Sequence, residues 1–173
     1  MVIDSGGECD SVMFAKLKNF IFGDRRPIVR SVTHPVIGTL IYSDEDEAWL
    51  TDPKMAAYGF GFCISGEWDE DIAEIRPAAA LVEHASEIAS QPEAFAESVR
   101  AFVKSQLQTV MALAVDRNEI EELRVYRVAL MWPTRPDDGE IELRTSLDSD
   151  RVWHCAYTGR KPAPHFGFTG LDQ

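Results

Sequence analysis

The chain is poor in the features that announce a membrane, an export route or a metal. Its apolar runs, such as Phe60 to Ile64 and Val128 to Trp132, are a handful of residues, where roughly 20 are needed to cross a bilayer as a helix. A spanning helix is therefore excluded. Residues 1 to 12 are acidic and glycine-rich, not basic and then apolar, so no secretory leader is expected and the cytoplasm is the expected compartment. Cysteine is scarce: Cys9, Cys63 and Cys155 are odd in number, far apart and without C-x-x-C spacing. That pattern excludes a disulfide framework and a structural zinc site, and it makes Cys63 and Cys155 small buried hydrophobes on strands.

Motifs are equally sparse. None of the four histidines, His34, His84, His154 and His165, stands three or four residues from another, so the helical two-histidine metal pair is missing. Gly59-x-Gly61 opens no strand-to-helix transition, no Walker lysine follows a glycine-rich loop, and G-x-S-x-G is absent. The acidic clusters lack the alternate ligands, sixth-position glycine and twelfth-position glutamate of a calcium loop. No catalytic residue, metal ligand or cofactor is assigned.

What is present in excess is negative charge. The 173 residues carry a formal net charge of −12, and it is unevenly placed. Residues 31 to 150 hold nine basic and 24 acidic side chains, whereas residues 16 to 30 carry Lys16, Lys18, Arg25, Arg26 and Arg30 against Asp24 alone. Such a body repels phosphate backbones and steers toward basic partners, which disfavours nucleic acid.

Periodicity supplies the architecture. Met13, Phe14, Leu17, Phe20 and Ile21 share one helical face, which makes residues 1–27 an N-terminal amphipathic helix and linker ahead of a single α+β domain over residues 28–173. That helix is expected to dock on its own domain or, alternatively, to act as an interaction or membrane-surface helix, such as one that docks the chain into a larger assembly. Strand character covers Ile28 to Val32, Val36 to Tyr42 and Ala48 to Leu50. Tyr58, Phe60, Phe62 and Ile64 then alternate with Gly59, Gly61, Cys63 and Ser65, leaving one strand face nearly bare. A first helix is expected from Pro77, and a second, with a Ser90/Glu93 capping box, from Ser90 to about Val115. Strands return over Arg124 to Trp132, Gly139 to Leu147, Arg151 to Tyr157 and His165 to Phe168. The expected fold is α+β: an antiparallel sheet of about six to eight strands, hairpins and then a meander, against two central helices.

Two constellations remain. The run Glu67-Trp68-Asp69-Glu70-Asp71 sets acids beside an aromatic, and with Trp49 and Trp153 as further anchors it offers a binding surface for a basic protein. His154 and His165 could meet across neighbouring strands with Asp148 or Asp150, which is the basis for a small hydrolase or metal-dependent enzyme. His154 and Cys155, adjacent on a strand, point to opposite faces and cannot form one site.

The order of elements resembles bacterial domain-of-unknown-function proteins: His34-Pro35-x-x-Gly38 opening a hairpin, the aromatic-glycine strand, the helical insert, and a meander ending in Val152-Trp153-His154. Several such families occur as immunity proteins beside secreted toxins. The resemblance covers about residues 31 to 157 and implies an acidic decoy that masks a basic toxin. The expected function is thus a non-enzymatic acidic protein-binding module engaging a basic partner.

Overall fold

The computed structural model describes residues 30–71, 74–106, 117–146 and 150–169. The expected N-terminal helix and the stretch from 107 to 116 lie outside them. All the elements below belong to the unit Ser31–Gln173.

Nine strands and three helices are described, in a mixed α+β fold. In chain order they are β1 (Ser31–His34), β2 (Gly38–Ser43), β3 (Ala48–Leu50), β4 (Gly61–Asp69), β5 (Glu74–Pro77), α1 (Ala79–Ser90), α2 (Pro92–Ser105), α3 (Arg117–Glu122), β6 (Arg124–Leu130), β7 (Gly139–Arg144), β8 (Val152–Thr158) and β9 (Lys161–Thr169). The sheet runs β1-β2-β3-β4-β6-β7-β8-β9, and β5 adds to the far end of β4. Neighbours are antiparallel except β4 and β6, which pair in parallel from Gly61↔Arg127 to Ile64↔Leu130. Parallel neighbours need a crossover connection, and the helical segment supplies it. Two antiparallel meanders are thereby welded along their inner strands.

Alternation decides which sheet face the helices cover. Leu40, Trp49, Phe62, Ile64, Val128, Leu130, Ile141, Leu143, Trp153 and Tyr157 fall on one face by register and are buried in a single cluster with Leu81, Ala85 and Ile88 of α1, Val99 and Val103 of α2, and Ile120 of α3. The opposite face carries Ile41, 48% exposed, an Arg127–Glu142 ion pair at 3.8 Å, and His154 with its Nδ1 at 2.6 Å from Glu140. Burial on one face and polar chemistry on the other is the usual solution for an antiparallel sheet.

Several expectations are corrected. Pro77 closes β5 and pairs with Gly66; it does not open a helix, because a proline, having no N–H to donate, is at home on an edge strand. Ser90 forms no capping box: its hydroxyl donates back to the Ser86 carbonyl at 2.7 Å, and Gln91 stands at the N-cap of α2 with Pro92 in the first turn. The bare face of β4 is met by the loop following β3. A Cβ at Gly61 would stand 2.8 Å from the Thr51 carbonyl oxygen and 2.9 Å from Pro53 Cγ, and Phe62 N–H donates to Thr51 Oγ1 at 2.7 Å. The β8–β9 connection, expected as a loop from Gly159 to Pro164, is a two-residue turn with positive φ at both Gly159 and Arg160. That is the hairpin geometry whose twist matches the flanking strands.

Candidate functional site

A groove of about 920 Å³ opens beside the β4–β5 hairpin. Its walls are β1 through Val32 and His34, the outer ends of β4 and β5, and the exposed side of α1. The hairpin β4–β5 projects because β4 outlasts its pairing with β3, which ends at Ser65, so Gly66 to Asp69 find a new partner in Glu74 to Pro77. Five carboxylates line the groove, Glu67, Asp69, Glu70, Glu83 and Glu87, against one guanidinium, Arg76. Trp68, 61% exposed, stands among them.

Each groove wall is positioned by a specific contact. Glu67 Oε1 accepts the backbone N–H of Ala79 at 3.0 Å, which ties the tip of β4 to the start of α1, where a carboxylate is favoured by the unpaired N–H groups. Asp69 faces Arg76 at 3.6 Å. His34 Nδ1 accepts the backbone N–H groups of Val36 and Ile37 at 3.3 and 3.4 Å, so the ring proton resides on Nε2.

Glu87 is anchored from beneath. His84, only 3% exposed, contacts the Tyr157 hydroxyl through Nε2 at 2.9 Å and Glu87 through Nδ1 at 3.2 Å. Arg160 NH1 donates to the same Glu87 carboxylate at 2.6 Å and its Nε donates to Asp137. Burial pushes the Tyr157 hydroxyl up to about 12, so it keeps its proton at neutral pH. Tyr157 accordingly donates to Nε2, and Nδ1–H donates to Glu87, whose carboxyl is held below its ordinary range first by that hydrogen bond. The chain Tyr157–His84–Glu87–Arg160–Asp137 is satisfied at every link. It orients the groove wall and leaves no reactive group open.

Of the residues expected to bind, Trp68, Asp69 and Glu70 are brought together in the groove, beside Glu67 of the same run. Asp71 lies in the adjoining turn, its N–H donating to Asp69 at 3.1 Å. Trp49 and Trp153 are core residues at 2% and 0% exposure; the surface role expected of them is corrected, because both point to the helix-covered face. Trp153 Nε1 donates to Glu119 at 3.0 Å.

Compared with family models, with curated proteins and with solved structures, the chain matches none. Its chemistry is therefore read from its own residues. The enzymatic alternative lacks a described assembly: His154 pairs with Glu140, the side chain of His165 lies outside the described residues, and His165 itself falls in the irregularity where β8 and β9 change register. Among the described residues no group of three metal-ligating side chains converges. Burial pushes both Cys63 and Cys155 up to about 11, which leaves them as thiols and poor nucleophiles. No described helix is long and apolar enough to cross a membrane.

Sequence reasoning missed His84, Val32 and Glu83. His84 stands three residues after Leu81 and four before Ile88, on the apolar stripe of α1, and that spacing alone predicts its burial.

Proposed function

We propose that this protein is a non-enzymatic binding module of the cytoplasm, an immunity or inhibitor protein, that captures a basic segment of a partner protein in the groove between β1, the β4–β5 hairpin and α1. The observation that carries the reading is the lining: five carboxylates around an exposed tryptophan, Trp68, in a concave surface of about 920 Å³. A tryptophan with a polar rim is the composition of an interface anchor, and arginine or lysine side chains would meet both the indole face and the acids. The resemblance to toxin-associated immunity proteins favours the same class of partner. Nucleic acid is disfavoured by the charge.

The test is isothermal titration of an arginine-rich peptide into the full chain. Any acidic protein attracts a polycation, so location is the discriminating variable. Trp68→Ala and the pair Glu70→Lys/Glu83→Lys are each expected to weaken binding by roughly tenfold or more. Glu45→Lys/Glu47→Lys, in the exposed β2–β3 turn, leaves it nearly unchanged. Affinity also falls with added salt, since exposed charges are screened within about 8 Å at physiological ionic strength. Equal losses from both charge-reversed pairs would remove the groove from the reading.

A further inference from the structure

At the junction of β6 and β7 the charge pattern inverts. Two adjoining hollows of about 410 and 220 Å³ share Gly59, Arg124 and Val125 in their walls. The larger is lined by Lys54, Arg124 and Arg144, the smaller by Arg100, Lys104 and Arg124, and no carboxylate stands among the described lining residues of either. Residues 31 to 150 contain nine basic side chains among 24 acids, and five of those nine gather here. Of the five, Arg100 is answered by Glu97, outside the lining, at 3.9 Å.

Three further features point to a ligand. Arg124 and Arg144 are directly opposite in the β6–β7 register, which brings both guanidinium groups to the wall of one hollow. Both guanidinium groups are pre-positioned: Arg124 NH1 donates to the carbonyls of Glu121 and Leu123 at 3.0 and 2.9 Å, and Arg144 stacks over the Tyr126 ring at 3.8 Å. Gly59, at φ +81°, has nothing within 4 Å of where a Cβ would stand, so this stretch of wall is open. A one-sign cleft with low-dielectric walls focuses its field locally, while the surrounding acidic body turns away a polyanion.

We propose that the cleft formed by Lys54, Arg124, Arg144 and Tyr126 binds a small phosphate monoester, the phosphate held by the three cations and its organic body against Val125 and Pro53. Planar guanidinium forks match phosphate oxygens two at a time, whereas the lysine contributes a point charge. The larger hollow falls within the usual size range of small-molecule sites, roughly 300–1,000 Å³. This inference is independent of the acidic groove.

The experiment titrates inorganic phosphate, and then phenyl phosphate, into the full chain at low salt, with chloride at matched ionic strength as the reference. Saturable binding of phosphate beyond chloride is expected, tighter for phenyl phosphate, and weakened roughly tenfold or more in Lys54→Glu and in Arg144→Ala. Lys54 is exposed in a turn, so its variant decides the matter should Arg144→Ala fail to fold. Phosphate binding no different from chloride, or unchanged in Lys54→Glu, overturns the proposal.

Discussion

The acidic groove and the basic cleft are built by the same sheet from opposite kinds of sequence. In the groove, Glu67, Trp68, Asp69 and Glu70 are consecutive, carried outward on a hairpin that overshoots the sheet. In the cleft, Lys54, Arg124 and Arg144 are far apart in the chain and meet only because β6 lies beside β7 and the loop after β3 folds back over Gly61. A local cluster makes a broad, wet surface suited to a protein segment; convergence from separate strands makes a smaller hollow suited to a small ion. The contrast also concerns stiffness. Glu87 in the groove wall is tied through His84 to Tyr157 in the core, and Arg144 is clamped on Tyr126, so both charged surfaces rest on aromatic supports.

The largest expected effect removes the common foundation. Phe62 is fully buried at the β4–β6 junction, between the two meanders, and Phe62→Ala is expected to cost about 3–5 kcal/mol. Because one core cluster spans both meanders, denaturant unfolding of this variant remains a single transition that abolishes peptide and phosphate binding together. Two separated transitions would mean that groove and cleft stand on independent cores.

A smaller change separates them. Tyr157→Phe leaves His84 Nε2 without its buried partner, an expected loss of about 1–3 kcal/mol, and it slackens Glu87 while leaving Lys54, Arg124 and Arg144 as they are. Peptide affinity therefore falls and phosphate affinity holds. Loss of both in a folded variant would break the assignment of this network to the groove side.

The two core tryptophans sharpen the comparison further. Trp49, in the β1–β4 meander, has an indole N–H with no acceptor among the described residues, whereas Trp153, in the β6–β9 meander, donates to Glu119, which also receives Arg151 at 2.9 Å. Trp153→Phe takes a donor from a carboxylate, and Trp49→Phe removes none. The first is expected to cost about 1 kcal/mol more than the second, read as the difference in urea midpoints.

How far these features were legible in the sequence follows from how local each one is. Alternation along Ile141, Leu143 and their neighbours marked β7 correctly, since side-chain period is a property of the strand itself. Trp68 and Trp49 could also have been told apart locally: the first sits between Glu67 and Asp69, the second between Ala48 and Leu50. What escaped was pairwise. The short segment Glu74 to Pro77 reads as the end of an acidic cluster and the start of a helix until β4 is seen to need a partner there. Nothing along the chain announces that β4 and β6 run parallel, and the cleft depends on neighbours brought together by that topology. Ser90 and Glu93 had the spacing of a capping box, but the serine found a nearer carbonyl at Ser86.

The finest test uses pH on one side of the comparison alone. The Glu87 carboxyl is lowered by its hydrogen bond with His84 and by Arg160, so the folded state favours its ionised form. An acid depressed on folding contributes stability that is complete above its unfolded value, here 4.5, and that is lost as pH falls through the folded value. Glu87→Gln lacks this contribution at every pH. The melting temperatures of wild type and variant should thus differ by a constant amount near neutrality and converge below about pH 4.5, as protonation makes the glutamate neutral like the glutamine. The same pair titrated with phosphate at neutral pH should agree, because Glu87 does not line the cleft. A gap that widens in acid would mean that Glu87 is held in its neutral form, and the support drawn from Tyr157 through His84 to the groove would then run with the opposite proton order.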